Sequence, residues 1–492
     1  MTTTHCFNVH SHLDSWQSLR CRGYTRKLDN SGDKRLIIRA IWLMLTDRLD
    51  SISAGTSRGL ERDSRLCLYI RYLDLYDLDE LVRDDEFKTS FQEEFFSGKL
   101  GTMLLSGNES EPQLSPEEEV PFSQWVCERA GSVSSTTLKE WMCHLPCLEA
   151  LWLQSGKSLD QSVEENINQY CPQFKKLVVY KWKDVTEGSA ERDSERFLKG
   201  LRLNTLEYFE IIDWAEFGPA SMVALSSHFG SLVELRLKNF WLELVRQLSL
   251  LDPPEKLEVL TIYESYGEDD ELASDFGRWI GACKSLRRLE IHVFLNEPLV
   301  LANALNNTEL SLEALIVPDY VDSCTVEEIE AFHEALASQR SLRELNINVD
   351  VFEVPDRPVN PATLLRSLQQ LTELRNLDIQ CVSQEFTQDQ VVTLVSCLPH
   401  LERLAIGGTG FNDSVWKALL CLSNLRYLKI AARRNRFTAQ GILDFIRGLE
   451  PQNRRFHLEL GYTRTEGNIT EEDQVTIREE LSRRLDGSFK TW

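Results

Sequence analysis

Few side-chain clusters in the 492-residue sequence could carry out chemistry. Cys143, His144 and Cys147 form a C-H-x-x-C group whose soft donors suit zinc, but a structural zinc site takes four ligands and no second pair has matching spacing. Gly156-Lys157-Ser158 follows an expected strand and precedes a helical pattern, the setting of a phosphate-binding loop. That motif, G-x-x-x-x-G-K-[ST], requires glycine at position 151, where Leu151 stands, so the backbone there cannot wrap a phosphate. His5, His10 and His12 lie in a segment without periodic patterning, and neither a G-x-S-x-G nor an H-E-x-x-H motif occurs. The residues therefore predict no enzyme, no metal site and no cofactor.

The elements that must position any functional side chain come from a repeat. Apolar residues recur at i, i+3 and i+5, from Leu148-Leu151-Leu153 and Phe174-Leu177-Val179 through Leu401-Leu404-Ile406 to Leu425-Leu428-Ile430. A last, degenerate copy has Arg455 in the first place before Leu458 and Leu460. Successive copies start 24 to 32 residues apart. The last two apolar places point to the same side of a short strand, because strand side chains alternate, so each copy buries one edge of a stacked core. Segments 326–338, 362–371 and 387–398 carry apolar residues at helical spacing, and Thr387 is the expected N-cap of the third.

This pattern resembles the leucine-rich repeat family, whose L-x-x-L-x-L core and period it matches over about two thirds of the chain. The resemblance implies an α/β solenoid, a horseshoe with parallel strands on its concave face and helices on its convex face. Cys171, Cys283 and Cys397 stand three or four residues before the first core position, as Cys does in the repeats of F-box proteins. They read as small fillers at the helix-to-strand turn. The phrase YIRYLDL, with Ile70, Leu73 and Leu75, resembles the first strand of fungal F-box/leucine-rich-repeat proteins. That resemblance implies a substrate-recognition subunit of a cullin-based ubiquitin ligase, with a protein target on the concave face and adaptor and cullin as further partners. The F-box itself is not recognisable in residues 1–35. The alternative is a stand-alone scaffold or GTPase-regulatory protein with no ligase link.

The expected organisation is a helical region at 1–66, a first strand and an acidic insertion at 67–122, the solenoid at 123–463 and a capping helix at 464–492, opened by Thr470. Residues flanking the buried strand positions face the concave side. There the large aromatics and bases concentrate in the first half: Trp152, Tyr180, Trp182, Tyr208, Trp214, Arg236, Phe240, Tyr263 and Phe294. Exposed aromatics beside Arg or Lys have the composition of protein-binding hot spots.

Composition bounds the partner. The formal charge is −23, from 54 Lys and Arg against 77 Asp and Glu, which argues against nucleic acid or an anionic membrane. The basic run Arg433, Arg434 and Arg436 is read as a solvated loop. The most apolar stretch, residues 36–45, is interrupted by Arg39 and falls short of the roughly 20 residues that span a bilayer. With no secretory signal pattern, the 12 cysteines are expected as free thiols and the protein as cytoplasmic or nuclear.

Overall fold

The computed structural model describes residues 72–74, 135–183, 188–213, 216–238, 241–265, 269–294, 296–318, 325–348, 361–461 and 469–491. All belong to one compact unit formed by residues 62–77 and 129–492. Its strands are β1 (Tyr72–Asp74), β2 (Ala150–Ser155), β3 (Lys176–Lys181), β4 (Tyr208–Ile211), β5 (Glu234–Lys238), β6 (Val259–Ser265), β7 (Arg288–Phe294), β8 (Ala314–Val317), β9 (Glu344–Ile347), β10 (Asn376–Ile379), β11 (Arg403–Thr409), β12 (Tyr427–Arg433), β13 (His457–Leu460) and β14 (Ser488–Thr491). They form one fourteen-stranded sheet in strict chain order, every neighbouring pair parallel. A helix or helical turn lies between strands from β2 onward, as parallel neighbours require a crossover.

Register explains the stack. Leu151 aligns with Leu177, which aligns with Phe209, Leu235, Leu260 and Leu289 on successive strands. Each is fully buried, as are their partners two places on, such as Val179, Ile262 and Ile291. Every such side chain contributes about 1.5–3 kcal/mol of transfer free energy, and a lone unit could not bury them. Helices pack about 8–10 Å apart and strands about 4.8 Å, so the stack bends with the sheet inside. The chain is an α/β leucine-rich-repeat solenoid.

The helices begin on side-chain caps. Asp160, Asp269 and Asn296 accept from the N3 backbone N–H of their helices. Thr325, Thr387 and Thr470 complete capping boxes with Glu328, Gln390 and Asp473. The helical segments expected from periodicity are Val326–Leu336, Pro361–Leu368 and Gln388–Cys397. At the helix-to-strand turns Asn307 donates to Gly281 O at 2.8 Å and Asn453 to Leu425 O at 2.8 Å, satisfying carbonyls that no ladder reaches.

The C-terminus carries more than the expected capping helix. Glu471–Leu485 is that helix, but β14 follows it and pairs with β13, with Phe489 buried in the core row. Asp486, in a left-handed conformation with φ 54°, stands where the first apolar residue of the pattern would be. The helical region expected at 1–66 and the acidic insertion at 67–122, β1 apart, lie outside the described residues.

Candidate functional site

The concave face is built from two register-aligned rows. One row reads Lys176, Tyr208, Glu234, Val259, Arg288, Ala314 and Glu344, then Asn376, Arg403, Tyr427, His457 and Ser488. The other reads Trp152, Val178, Glu210, Arg236, Thr261, Glu290, Ile316 and Asn346, then Asp378, Ala405, Lys429, Glu459 and Lys490. Neighbours within a row stand on adjacent strands, so their side chains meet.

From β4 to β9 these neighbours neutralise one another. The Tyr208 hydroxyl donates to Glu210, and Arg236 Nε donates to Glu234 Oε1 at 2.6 Å. Glu290 Oε1 accepts from His292 Nε2 at 2.8 Å and from the Tyr263 hydroxyl at 3.3 Å. The Tyr263 and His292 rings stack with centroids 4.2 Å apart. Arg288 reaches Glu290 at 3.5 Å and Glu344 at 2.9 Å, bridging β7 to β9. Burial, then the charge of Glu210, drives the Tyr208 phenol far above its ordinary range. Burial, then Glu290, pushes Tyr263 up to about 12. Burial alone would raise Glu290, but the His292 hydrogen bond and the Arg288 charge outweigh it and lower the carboxyl. Burial likewise opposes the Arg236 charge, yet Tyr208, Glu234 and Glu210 hold it in place.

From β10 to β14 the pairing differs. The Arg403 guanidinium lies 4.4 Å from the centroid of Tyr427, a cation–π contact, and Tyr427 stacks on His457 at 5.4 Å. His457 Nε2 donates to Glu459 Oε1 at 2.8 Å, and Nδ1 then accepts from the Ser488 hydroxyl. Burial, then Glu459, lifts Tyr427 to about 12. Burial raises Asp378 against the hydrogen bond from the Gln380 N–H. Asn348 donates to the same carboxylate at 3.2 Å.

The Ser488, His457 and Glu459 sequence has the connectivity of an acyl-transfer triad. Its surroundings do not complete one: Ser488 is exposed on an open sheet face, and its backbone N–H is committed to Phe456 O at 3.0 Å. Sequence reasoning passed over these residues because Arg455 breaks the repeat ahead of β13. The i, i+2 spacing of His457 and Glu459 was the available signal.

The sequence-predicted hot-spot residues divide. Trp152, Tyr180, Tyr208, Arg236 and Tyr263 are half-buried on the concave face. Trp182 is not on that face. It is 1% exposed and packs against Phe197 and Phe217, with ring centroids 6.4 and 5.3 Å away. Strand β3 has ended at Lys181, and Gly156 in the preceding unit leaves the space its ring fills, since a Cβ there would stand 2.3 Å from Trp182 Cδ2. Trp214 and Phe240 lie outside the described residues, and Phe294 is described only in its backbone, opposite Ser265.

The clusters considered for chemistry also find their places. Gly156–Ser158 is a 3₁₀ turn beneath Trp182, and Lys157 is exposed. Cys143 donates to Asn166 Oδ1 at 3.0 Å just past the helix Ser135–Met142. Among the described residues no group of three or more His, Cys, Asp or Glu is placed to hold a metal. Cys171 and Cys283 are buried, and burial pushes both thiols up to about 12, as turn fillers require. No helix among the described residues is long and apolar enough to cross a membrane.

Comparison with known protein families and with curated proteins gives no match. Among solved structures, a chain of the yeast Rad7 and Elc1 complex is similar at 15% identity, over 95% of this chain and 97% of that one, with a TM-score of 0.39. An internalin, InlF of Listeria monocytogenes, is similar at 17% identity over 72% of this chain and 88% of that one, with a TM-score of 0.39. TLR13 in complex with ssRNA13 is similar at 14% identity over 66% of this chain and 52% of that one, with a TM-score of 0.31.

Proposed function

We propose that this chain is a non-catalytic protein-binding solenoid that holds its partner against the concave sheet face. The observation that supports this reading is the pair of register-aligned rows, mostly polar and aromatic, that run from β2 to β14 over a buried apolar ladder. A surface of this breadth suits a macromolecule. A cleft of about 510 Å³ lies instead at the helix-to-strand edge, lined by Pro172, Phe174, Arg202 and Leu203 among others. The finer reading is a substrate-recognition subunit of a cullin-based ubiquitin ligase, which rests on the resemblance of the Ile70-Leu73-Leu75 segment and on the cysteine positions. In that role the solenoid places the target and performs no bond chemistry.

The test is lysine-directed cross-linking of the full chain in cells, followed by affinity purification beside a Trp152→Ala/Tyr180→Ala/Tyr263→Ala/Tyr427→Ala variant. Partners are expected to cross-link to the concave Lys176, Lys238 or Lys429 and to be lost from the variant. Cross-links confined to Lys199 and Lys417 on the helices would overturn the concave reading. Co-purification of adaptor and cullin would support the ligase role, and their absence would leave a scaffold.

A further inference from the structure

At two helix-to-strand turns one buried side chain fastens the turn of the preceding unit by the same pair of bonds. Gln339, 1% exposed, accepts from the Leu312 N–H at 3.0 Å and donates to Leu310 O at 3.3 Å. His228, fully buried, takes the Thr205 N–H on Nδ1 at 3.3 Å and faces Leu198 O with Nε2 at 3.0 Å. Each stands three or four residues ahead of the first core position of its unit, Leu342 and Leu232. An amide offers a fixed acceptor and a fixed donor. An imidazole offers both only while it is neutral, since in the charged form each nitrogen carries a proton.

The bonds fix the tautomer. A backbone N–H can only donate and a carbonyl can only accept, so Nε2 bears the proton and Nδ1 bears none. Protonation of Nδ1 sets two donors, that N–H and the Thr205 N–H, against each other in a fully buried position. What the ring holds is the turn 201–205, which is also tied to the same unit by the Asn204 N–H, donating to Ser227 O at 3.2 Å. Asn204 is left-handed there, with φ 55°, and Leu203 beside it is 74% exposed. Arg202, Leu203, Asn204 and Thr205 form one wall of the cleft of about 510 Å³.

We infer that His228 is an acid-sensitive clasp: its neutral ring fastens the turn 201–205 to the next unit, and its protonation releases that turn and the cleft wall it forms. The clasp works whatever the concave face binds. The charged groups on the elements around the ring are Glu195 and Lys199 on the helix Ser189–Gly200, Glu164 against Gly200, Arg202 in the turn, Glu207 after it and Asp252 in the turn of the following unit. Glu195 pairs with Lys199 and Glu207 with Lys175, while Arg202 donates to Cys171 O at 3.4 Å. None of them sets the ring's titration: burial holds His228 below its ordinary range, against the pull of the Leu198 bond. With the folded value below the unfolded value of about 6.5, the clasp is whole above that pH, and its contribution is lost as the pH falls through the folded value.

The experiment follows amide hydrogen exchange of the full chain by mass spectrometry between about pH 7.5 and about pH 4.5, corrected for the intrinsic pH dependence of exchange. Opening at the Thr205 amide should rise by up to tenfold per pH unit below about 6.5, and at least threefold by about pH 5, while the Leu312 amide under Gln339 does not follow. His228→Gln, which keeps an acceptor and a donor, should abolish the acid opening. Exchange of the imidazole C2 hydrogen in the unaltered protein reads the titration of His228 without any variant, and is expected to place it below that of a solvent-exposed imidazole. Three outcomes would overturn the clasp: a Thr205 amide indifferent to pH, an acid opening that persists in His228→Gln, or a His228 ring charged at neutral pH.

Discussion

Strands β4 to β9 and β10 to β14 present similar side chains on the same face and arrange them differently. In the first group carboxylates meet bases or hydroxyls two places along the same strand, Glu210 with Tyr208 and Glu290 with Arg288 and His292, and Tyr263 joins Glu290 from the next strand. In the second, register sets Arg403 against Tyr427 and Tyr427 against His457, so a base and two rings stack across strands. The difference teaches that aromatic and basic content alone does not mark a binding surface. What lies two places along the strand, and what sits opposite on the next, decides whether a charged side chain meets a carboxylate or a ring.

The largest expected contrast sets an absorbed aromatic against an open one. Trp182→Ala should cost about 3–5 kcal/mol in urea unfolding, because its cavity is walled by Phe197 and Phe217 and cannot refill. Tyr427→Ala, which loses a stack on a half-exposed face, should cost about 1 kcal/mol. Losses of equal size would show that the two aromatics share one kind of environment and would break the comparison. Gly156→Ala should behave like a milder Trp182 change, since the added Cβ meets the same ring.

A smaller contrast separates a base held by a carboxylate from one that rests on a ring. Arg236→Ala strips Glu234 of its partner and should destabilise by about 1 kcal/mol, the guanidinium being 34% exposed and partly screened. Arg403→Ala, which loses only the contact with the Tyr427 ring, should stay within about 0.5 kcal/mol of the parent protein. Unfolding midpoints of the two variants check the difference. A loss at Arg403 as large as at Arg236 would erase the contrast between the two groups.

Much of the fold was legible in the sequence, and the reason is physical. The i, i+3, i+5 pattern is a direct record of which side chains the stack must bury, and Leu148, Leu151 and Leu153 through Leu425, Leu428 and Ile430 are all buried. Thr387 and Thr470 were legible as caps because capping chemistry is local. Strand β14 was not, since Asp486 holds the first place of its copy and only Phe489 fills the core. Trp182 has the parity of a concave residue, but parity applies only inside a strand, and the chain turns inward after Lys181. The candidate surface was the least legible part: which side chains meet depends on pairing between strands 24 to 32 residues apart, as with Arg403 and Glu344 on either side of Asn376.

The smallest expected effects are those of pH, and their signs differ between the two groups. Glu290 is held below its ordinary range when folded, so its contribution is present above the unfolded value of about 4.3 and is lost as pH falls through the folded value. Asp378 is raised by burial, so its ionisation opposes folding, and acidification through its folded value relieves that cost. Glu290→Gln should therefore lower stability at neutral pH and flatten the acid loss. Asp378→Asn should raise stability at neutral pH, keeping the acceptor for Asn348, and should converge with the parent protein in acid. Both differences should stay below about 1 kcal/mol, since solvent reaches the face. Urea midpoints from about pH 3 to about pH 7 check them. A loss of stability in Asp378→Asn at neutral pH would mean that this carboxylate, with Lys429 and Arg403 nearby, is paired as firmly as Glu290, and the two groups of strands would then handle charge alike.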